Sequence, residues 1–386
     1  DILRSNGDID PKKVVKKMLT GEKPGGDMER SVAIGTIEVA IWDALAKHYD
    51  LPLYKYINKI YPEYNSTNKM FCYVGGGYYD ENKTLDDLGV EIQNNFDNGY
   101  RLMKIKVGGA PIKEDIERIE KAIKVTGSPF KVALDANGGL TNANYLEYAR
   151  ELSSYGLRWF EEPVQPSDYE GYNNFIEHYR SSVAGGENLY SEQDVYNLIK
   201  YGGFRVGMDV LQIDMPQSYG ISYFKDCLDR LKKVNWSLDQ ITPHGGNQMS
   251  LHIACGFGLS MCEAYPNVFG VFSGYDDSYI VNDGFITLSD RPGIGFEGQN
   301  ELFKLFNEMK WMSKKNSNIA IVGCGIIGLT CALLLSKLNI GIITIFGSYP
   351  KYNKNKTTAL LDSSYNLYRN LNIFNQNNNN LYELRE

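Results

Sequence analysis

Seven polar residues, each at the end of a short apolar run, recur at nearly even intervals along the middle of the chain. The seven are Lys106, Asp135, Glu161, Glu187, Asp214, His244 and Glu263. The runs, predicted as strands, are in the same order Met103–Val107, Val132–Leu134, Leu157–Phe160, Val183–Ala184, Val210–Ile213, Gln240–Thr242 and Leu259–Cys262. The intervals between them are 29, 26, 26, 27, 30 and 19 residues, which is the length of one strand, loop and helix. Parallel strands that close into a barrel end at one rim, where barrel folds hold their active sites. The spacing predicts that all seven side chains meet at that rim.

The 386 residues divide into blocks of different pattern. Residues 1–66 show only helical periodicity, and residues 67–298 alternate short strands with amphipathic helices. Such alternation predicts a parallel sheet covered by helices, hence the α/β class. A return segment and polar linker follow at 299–317, and residues 318–386 form a tail that ends in an asparagine-rich run.

Composition excludes some classes of partner. The chain has 40 basic and 47 acidic side chains and an isoelectric point near 5.4, so no basic surface predicts binding to nucleic acid or to a membrane. A small molecule is the expected partner. The six cysteines form no CxxC pair, which is typical of buried thiols in a cytoplasmic protein. Because the sequence begins at Asp1 rather than Met, we expect a fragment or a processed product.

Two lysines stand two residues apart in the first of the runs. Lys104 and Lys106 would share one face of a strand, while Ile105 points to the covering helices. Two ammonium groups directed into a barrel need an anionic partner. The alternative is an exposed strip of lysines on the surface, since lysines are seldom buried.

Three successive strand ends carry carboxylates. Asp135, Glu161 and Glu187 would gather within a few ångströms, where their mutual repulsion calls for a cation. An all-oxygen set with no His or Cys favours a hard divalent ion, Mg²⁺ above all, over zinc. The alternative is three unrelated acids, each of which caps the helix that follows it.

The next two strand ends predict a hydrogen-bonded pair. Asp214 can accept from one ring nitrogen of His244 and direct the other nitrogen to the rim. The remaining three histidines lie in helical patterns, where a packing or surface role is expected. They are His48, His178 and His252.

Together these residues resemble the enolase superfamily, specifically its mandelate racemase-like group. The resemblance covers about residues 10–305. Several stretches are similar to the D-tartrate dehydratase-like members of that group. They are Glu-Lys-Pro-Gly-Gly at 22–26, Lys-Val-Gly-Gly-Ala-Pro-Ile at 106–112, Gly-Glu-Asn-Leu at 186–189, Pro-His-Gly-Gly-Asn-Gln-Met-Ser-Leu at 243–251, Glu-Ala-Tyr-Pro at 263–266 and Pro-Gly-Ile-Gly-Phe-Glu-Gly at 292–298.

The resemblance implies a modified (β/α)7β barrel over residues 67–298, with residues 1–66 as the remnant of a capping domain whose N-terminal sheet is missing. It implies one Mg²⁺ on the three acids and a dehydratase that acts on a small hydroxy diacid or acid sugar, with D-tartrate to oxaloacetate preferred. Related barrels often assemble symmetrically, so a homo-oligomer is compatible with the sequence.

The resemblance also implies the roles of the remaining residues. Lys106 would remove the proton next to the substrate carboxylate, and Lys104 would neutralise that carboxylate. His244, held by Asp214, would protonate the departing hydroxyl. Glu263 would face the intermediate. Lys23 matches a capping-loop lysine that reaches the substrate, although a solvated loop lysine is an equal alternative.

The tail carries a second motif. Gly323, Gly325 and Gly328 form a GxGxxG between two strand-like runs, Asn318–Val322 and Ile342–Phe346. This pattern predicts the start of a dinucleotide-binding βαβ unit. The tail resembles the opening of ubiquinone-biosynthesis-type FAD-dependent monooxygenases, but it is too short for a flavin domain, so we expect no bound FAD. A membrane span over 319–336 is the competing interpretation.

Three functions stay open from the sequence. The first is the dehydratase, with a racemase or epimerase of a hydroxy acid in the same site as its runner-up. The second is a flavoprotein module built on the tail. The third is an inert truncated fusion product.

Overall fold

The computed structural model describes residues 2–266, 268–312, 317–322 and 341–346, with side chains through residue 308. The helices are α1 (Pro11–Met18), α2 (Met28–His48), α3 (Leu53–Ile60), α4 (Leu85–Asp97), α5 (Ile112–Thr126), α6 (Tyr145–Leu152), α7 (Tyr169–His178), α8 (Glu192–Tyr201), α9 (Ile221–Lys233), α10 (Gln248–Phe257) and α11 (Asn300–Met312). The strands are β1 (Lys69–Gly76), β2 (Met103–Lys106), β3 (Val132–Asp135), β4 (Phe160–Glu161), β5 (Val183–Gly185), β6 (Val210–Leu211), β7 (Cys262–Ala264), β8 (Phe285–Thr287), β9 (Ser317–Val322) and β10 (Gly341–Phe346).

One curled sheet organises the first unit, residues 1–302. Its order is β6-β5-β4-β3-β2-β1-β7, with every pair on this path parallel and β8 antiparallel to β1. The strands β1 to β6 alternate with the helices α4 to α9 along the chain, and α10 precedes β7. This arrangement confirms the predicted TIM-like α/β fold.

Two predicted strands differ from the observed ones. The run Gln240–Thr242 forms a short 3₁₀ turn and then an isolated parallel bridge from Ile241 to Leu211. The run Leu259–Cys262 was expected to end before Glu263, but β7 begins at Cys262 and contains Glu263. Both runs are too short and too interrupted by polar residues to fix strand ends from periodicity alone.

The interior of the sheet is filled by side chains. Side chains alternate between the two faces of a strand. One set packs against the covering helices, and the residues between them point into the interior of the curled sheet. Six such residues form a separate buried cluster, namely Tyr73, Leu102, Ala133, Trp159, Ala184 and Met261. Two positions further along their strands lie Lys104, Asp135, Glu161 and Glu263, so the polar site stands on this apolar cluster.

The elements of residues 2–66 are helices, as predicted, and the strand-like pairings in this range are two isolated bridges, from Leu3 to Ile9 and from Pro52 to Gly293. Helix α2 is joined to the barrel by the buried Glu38, which accepts from the backbone amides of Ile221 and Ser222 at 2.8 and 3.0 Å. These are the first two residues of α9, so a carboxylate from α2 caps that helix.

The second unit, residues 303–386, is described only in part. Strands β9 and β10 pair in parallel from Ser317 with Gly341 to Val322 with Phe346. The predicted strands at 318–322 and 342–346 match them closely. The glycine motif at Gly323, Gly325 and Gly328 lies outside the described residues. Across the described part of the chain, no helix has the length and apolar character needed to cross a membrane.

Candidate active site

Three neighbouring strands deliver the three acids. Asp135 and Glu161 are the last residues of β3 and β4, and they pair in register. Glu187 follows β5 by two residues, after Gly186 at a φ of 121°. The chain turns sharply after the first two strands, since Asn137 and Glu162 adopt φ values of 46° and 39°. Left-handed backbone at non-glycine residues is uncommon and is found where a site demands it.

The three acids fit a divalent cation. One oxygen from each of Asp135, Glu161 and Glu187 lies within 4.8 Å of the others. Burial raises the pKa of Glu161 and of Glu187 to about 7 in each case, because charged carboxylates lose their water there. A bound cation would offset the unfavourable burial of these carboxylates, and their hard oxygen donors match Mg²⁺.

Lys104 lies beneath the rim, in the middle of the acids. Its ammonium is 2.6 Å from Glu161 Oε1, 2.5 Å from Glu263 Oε1 and 3.4 Å from Asp135 Oδ2. Burial alone would lower the pKa of Lys104, but the charges of Glu161 and Glu263 raise it well above its ordinary value. Lys104 is a fixed cation with only 1% of its surface exposed, so the exposed lysine strip is wrong.

Lys106 lies two residues further along β2 than Lys104 and closer to solvent. Its ammonium is 2.5 Å from Asp135 Oδ2 and 2.8 Å from Asn137 Oδ1. Its side chain keeps 11% of its surface exposed, against 1% for Lys104. Of the two lysines, Lys106 is the one that a molecule on the rim can reach.

Asp214 and His244 form the predicted pair. His244 Nδ1 lies 2.8 Å from Asp214 Oδ2, and its Nε2 lies 3.7 Å from Glu187 Oε2. Burial lowers the pKa of His244, but the hydrogen bond to Asp214 and the charge of Glu187 outweigh it and raise the pKa to about 10. The imidazole is thus held protonated with Nε2 at the rim.

Glu263 faces the same space from β7. Its Oε1 accepts from the Tyr265 hydroxyl at 2.7 Å. The Tyr265 ring fits because two neighbours are glycine: a Cβ at Gly75 would lie 2.5 Å from the ring, and one at Gly246 would lie 2.6 Å from it. Any larger residue at either position would push Tyr265 off Glu263.

The Lys23 ammonium makes no ion pair within the described residues. Its loop is nevertheless fixed to the barrel. Arg30 donates to the Lys23 carbonyl at 2.8 Å and to the Tyr219 hydroxyl at 3.3 Å, and that hydroxyl donates to Asp27 at 2.6 Å. Tyr219 is five residues past Asp214, so the loop is tied to the segment that follows β6.

Some residues at the rim were not predicted. Tyr78 follows β1, and its ring centroid lies 5.1 Å from the Lys106 ammonium. Glu162 is buried beside Glu161 and accepts from Asn188 at 3.0 Å. Burial raises the pKa of Glu162 to about 8. The period of two along a strand end would have found Tyr265 from Glu263, but Tyr78 follows β1, which has no charged residue at its C-terminal end.

Comparisons with known proteins agree with this geometry. A family model described as enolase C-terminal domain-like matches residues 87–302, more than half of the chain. Arabinonate dehydratase of Saccharolobus solfataricus is 27% identical over 274 residues, which cover 70% of this chain and 71% of that protein. L-Ala-D/L-Glu epimerase of Thermotoga maritima is 36% identical over 161 residues, covering 39% of this chain and 45% of that protein.

A solved structure extends the likeness to three dimensions. It is the crystal structure of L-talarate/galactarate dehydratase from Salmonella typhimurium LT2 liganded with Mg and L-lyxarohydroxamate, which matches with a TM-score of 0.64 and 26% identity. The match covers 74% of this chain and 69% of that one. The chain therefore belongs to the enolase superfamily, through the enolase C-terminal domain-like family, and is close to its mandelate racemase-like dehydratases.

Proposed function

We propose that the chain is a Mg²⁺-dependent dehydratase that removes the proton next to a carboxylate and eliminates water from a small hydroxy acid. One observation carries the proposal. Lys106 contacts Asp135, the first acid of the cluster, and His244 approaches Glu187, the last one. In the sheet, the acidic strands β3 to β5 separate β2, which holds Lys106, from β6, which precedes Asp214. A base and an acid therefore flank one metal site.

The residues divide the reaction between them. Mg²⁺ on the three carboxylates would stabilise the charge that develops on the substrate carboxylate. Asp135, Glu161 and Glu187 would hold the ion. Lys106 takes the α-proton, and the electron pair left on carbon forms the new double bond. The buried Lys104 holds Glu161 and Glu263 in place and adds positive charge below the substrate.

His244 completes the elimination. Its Nε2 gives a proton to the β-hydroxyl, which leaves as water rather than as hydroxide. Asp214 holds the ring so that Nε2 carries the transferable proton. The enol that remains becomes a 2-keto acid. The products of the reaction are therefore this keto acid and one water molecule. Glu263, which forms an ion pair with Lys104 and accepts a hydrogen bond from Tyr265, would face the intermediate. Lys23 would reach the substrate from its loop.

A racemase or epimerase is the second candidate, because the same two groups suit it. His244 would then return a proton to the α-carbon from the face opposite Lys106, and the hydroxyl would stay. The epimerase of Thermotoga maritima is similar over 161 residues. The dehydratase is preferred because arabinonate dehydratase and L-talarate/galactarate dehydratase are similar over far longer stretches.

The substrate is proposed at two levels. An acid with one hydroxyl on the α-carbon and another on the β-carbon is required, because the β-hydroxyl leaves as water and the α-hydroxyl of the remaining enol becomes the keto group. Within that class D-tartrate, which would give oxaloacetate, is our first choice on the sequence stretches already described. The competing choices are L-talarate, galactarate and arabinonate, together with D-gluconate, which the name of a further similar protein, the D-gluconate/D-galactonate dehydratase of Picrophilus torridus, contains.

The test incubates the full chain with Mg²⁺ and each of these five acids in D₂O. Formation of 2-keto acid supports the dehydratase, and the acid with the highest kcat/KM identifies the substrate. Deuterium at the α-carbon with the hydroxyl retained and the centre inverted would replace it with the racemase. No exchange and no product with any acid would contradict both and favour the inert fragment.

A variant separates the two proton transfers. His244→Asn removes the acid but leaves Lys106, so we expect the rate of keto acid formation to fall by about 10²–10⁴-fold while exchange of the α-proton continues. Loss of exchange and elimination together would contradict the assignment of separate roles.

For the second unit we propose only the opening of a dinucleotide-binding βαβ unit. The parallel pairing of β9 and β10 supports it. We expect the purified chain to show no stoichiometric flavin absorbance, and a flavin band near one equivalent would contradict this expectation.

A further inference from the structure

Among the three acids, Glu161 has the most contacts with other side chains. Its Oε1 accepts from the Lys104 ammonium at 2.6 Å. Its Oε2 accepts two hydrogen bonds, from the Trp159 indole at 3.0 Å and from the Gln212 side-chain amide at 2.7 Å. All four side chains are at most 1% exposed. Water therefore does not compete for these bonds.

The contacts leave little of Glu161 free. A carboxylate offers about four lone-pair sites, two on each oxygen. The two N–H donors on Oε2 fill that oxygen, and Lys104 takes one site on Oε1. A single site remains for a cation, and it lies on Oε1.

We propose that Gln212, together with Trp159, is a positioning residue that makes Glu161 bind the metal through Oε1 alone. The inference rests on the proposed Mg²⁺ site. Gln212 follows β6 directly and stands two residues before Asp214 on the same face of the chain. The same strand end thus orients a metal ligand and the partner of His244.

The second observation concerns the side-chain oxygen of Gln212. Gln212 Oε1 is buried and has no hydrogen-bond partner among the described residues. An unsatisfied buried acceptor is unfavourable, and an apolar residue of the same shape would remove that penalty. The amide nitrogen must face Glu161, since an oxygen there would oppose a carboxylate. The unpartnered oxygen is therefore unfavourable in itself, and the N–H directed at Glu161 accounts for an amide at this position.

The test measures metal affinity in the full chain. Gln212→Met keeps the length of the side chain and removes the donor. We expect the Kd for Mg²⁺ and Mn²⁺, measured by isothermal titration calorimetry, to rise by about 10- to 100-fold. The Mn²⁺ electron paramagnetic resonance spectrum should also change, because Glu161 can then turn and offer both oxygens.

Gln240→Met is the matched control. Gln240 is also buried, and its amide donates to the Asp209 carbonyl at 2.9 Å, with no contact to the three acids. We expect Gln240→Met to lower the free energy of unfolding and to leave the metal Kd within twofold of wild type. Trp159→Phe removes the other donor to Oε2 and should weaken binding in the same direction as Gln212→Met.

The outcomes separate this inference from the proposed function. Wild-type metal binding with an unchanged Kd in both Gln212→Met and Trp159→Phe would overturn the inference and leave the proposed function standing. Equal weakening in Gln240→Met would also overturn it, because the effect would then be global. A wild-type chain that binds neither ion would remove the proposed metal site itself, and the inference with it.

Discussion

His252 gives the fold a measurable dependence on acid. It lies in α10 with 1% of its surface exposed, and its Nδ1 accepts the backbone N–H of Tyr54 at 3.3 Å, which joins α10 to α3. An acceptor nitrogen carries no proton, so the ring is neutral. Burial lowers the pKa of His252 from 6.5 to about 3.

The difference between the pKa of His252 in the unfolded chain and in the folded chain sets the sign and the size of the change in stability with pH. The unfolded chain takes up a proton at His252 below pH 6.5, whereas the folded chain does not until about pH 3. Stability from this group is therefore complete above pH 6.5 and declines as the pH falls towards 3. At pH 5, one and a half pH units below the unfolded pKa, the loss is about 2 kcal/mol.

Urea unfolding of wild type and His252→Asn at pH 7.5 and pH 5 measures this loss. Asparagine keeps an acceptor near the Nδ1 position and does not titrate. We expect wild type to lose about 2 kcal/mol more than the variant between the two pH values. His178→Asn, at a partly exposed position in α7, should behave as wild type. Equal losses in wild type and His252→Asn would refute the reasoning.

Two further predictions concern Glu38 and Lys106. Glu38→Gln places an amide against donors from Trp42, Ile221 and Ser222. We expect it to lower the free energy of unfolding by about 2–5 kcal/mol. The control, Glu29→Gln on the exposed side of α2, should change the free energy of unfolding by less than about 0.5 kcal/mol. A Glu38→Gln chain as stable as wild type in urea would contradict the cap. Lys106→Met should lower α-proton exchange by at least about 10²-fold. It should not weaken Mg²⁺ binding in calorimetry, because a competing cation has left Asp135. Undiminished exchange would exclude Lys106 as the base.

The fold was predictable because the strand ends repeat. The even spacing of polar residues after apolar runs can be read from the sequence. In a barrel of parallel strands, residues with this spacing lie next to one another at one rim. Asp135 and Glu161 close their strands as the pattern predicts, and His244 pairs with Asp214. The element before His244 was less predictable, because its one bridge at Ile241 depends on neighbours from β6 rather than on its own sequence.

The depth of each side chain in the site was not predictable. Lys104 and Lys106 look equivalent in the sequence, yet one is enclosed by three carboxylates and the other reaches solvent. Their difference follows from the register of β2 against β3, which pairs Lys104 with Ala133 and Lys106 with Asp135 and which the sequence does not state. The contact of Gln212 with Glu161 likewise joins segments that are 51 residues apart in the chain, and a lone glutamine carries no pattern that predicts it. Trp159 stands two residues before Glu161, so the period of two along a strand would have found it.

The most direct test of the site is a crystal of the full chain soaked in Mn²⁺ and measured at the manganese absorption edge. We predict one anomalous difference peak bounded by Asp135, Glu161 and Glu187, with Lys106 on one side and His244 on the other. No peak there, or a peak only at other acids of the chain, would contradict the metal site on which the proposed function depends.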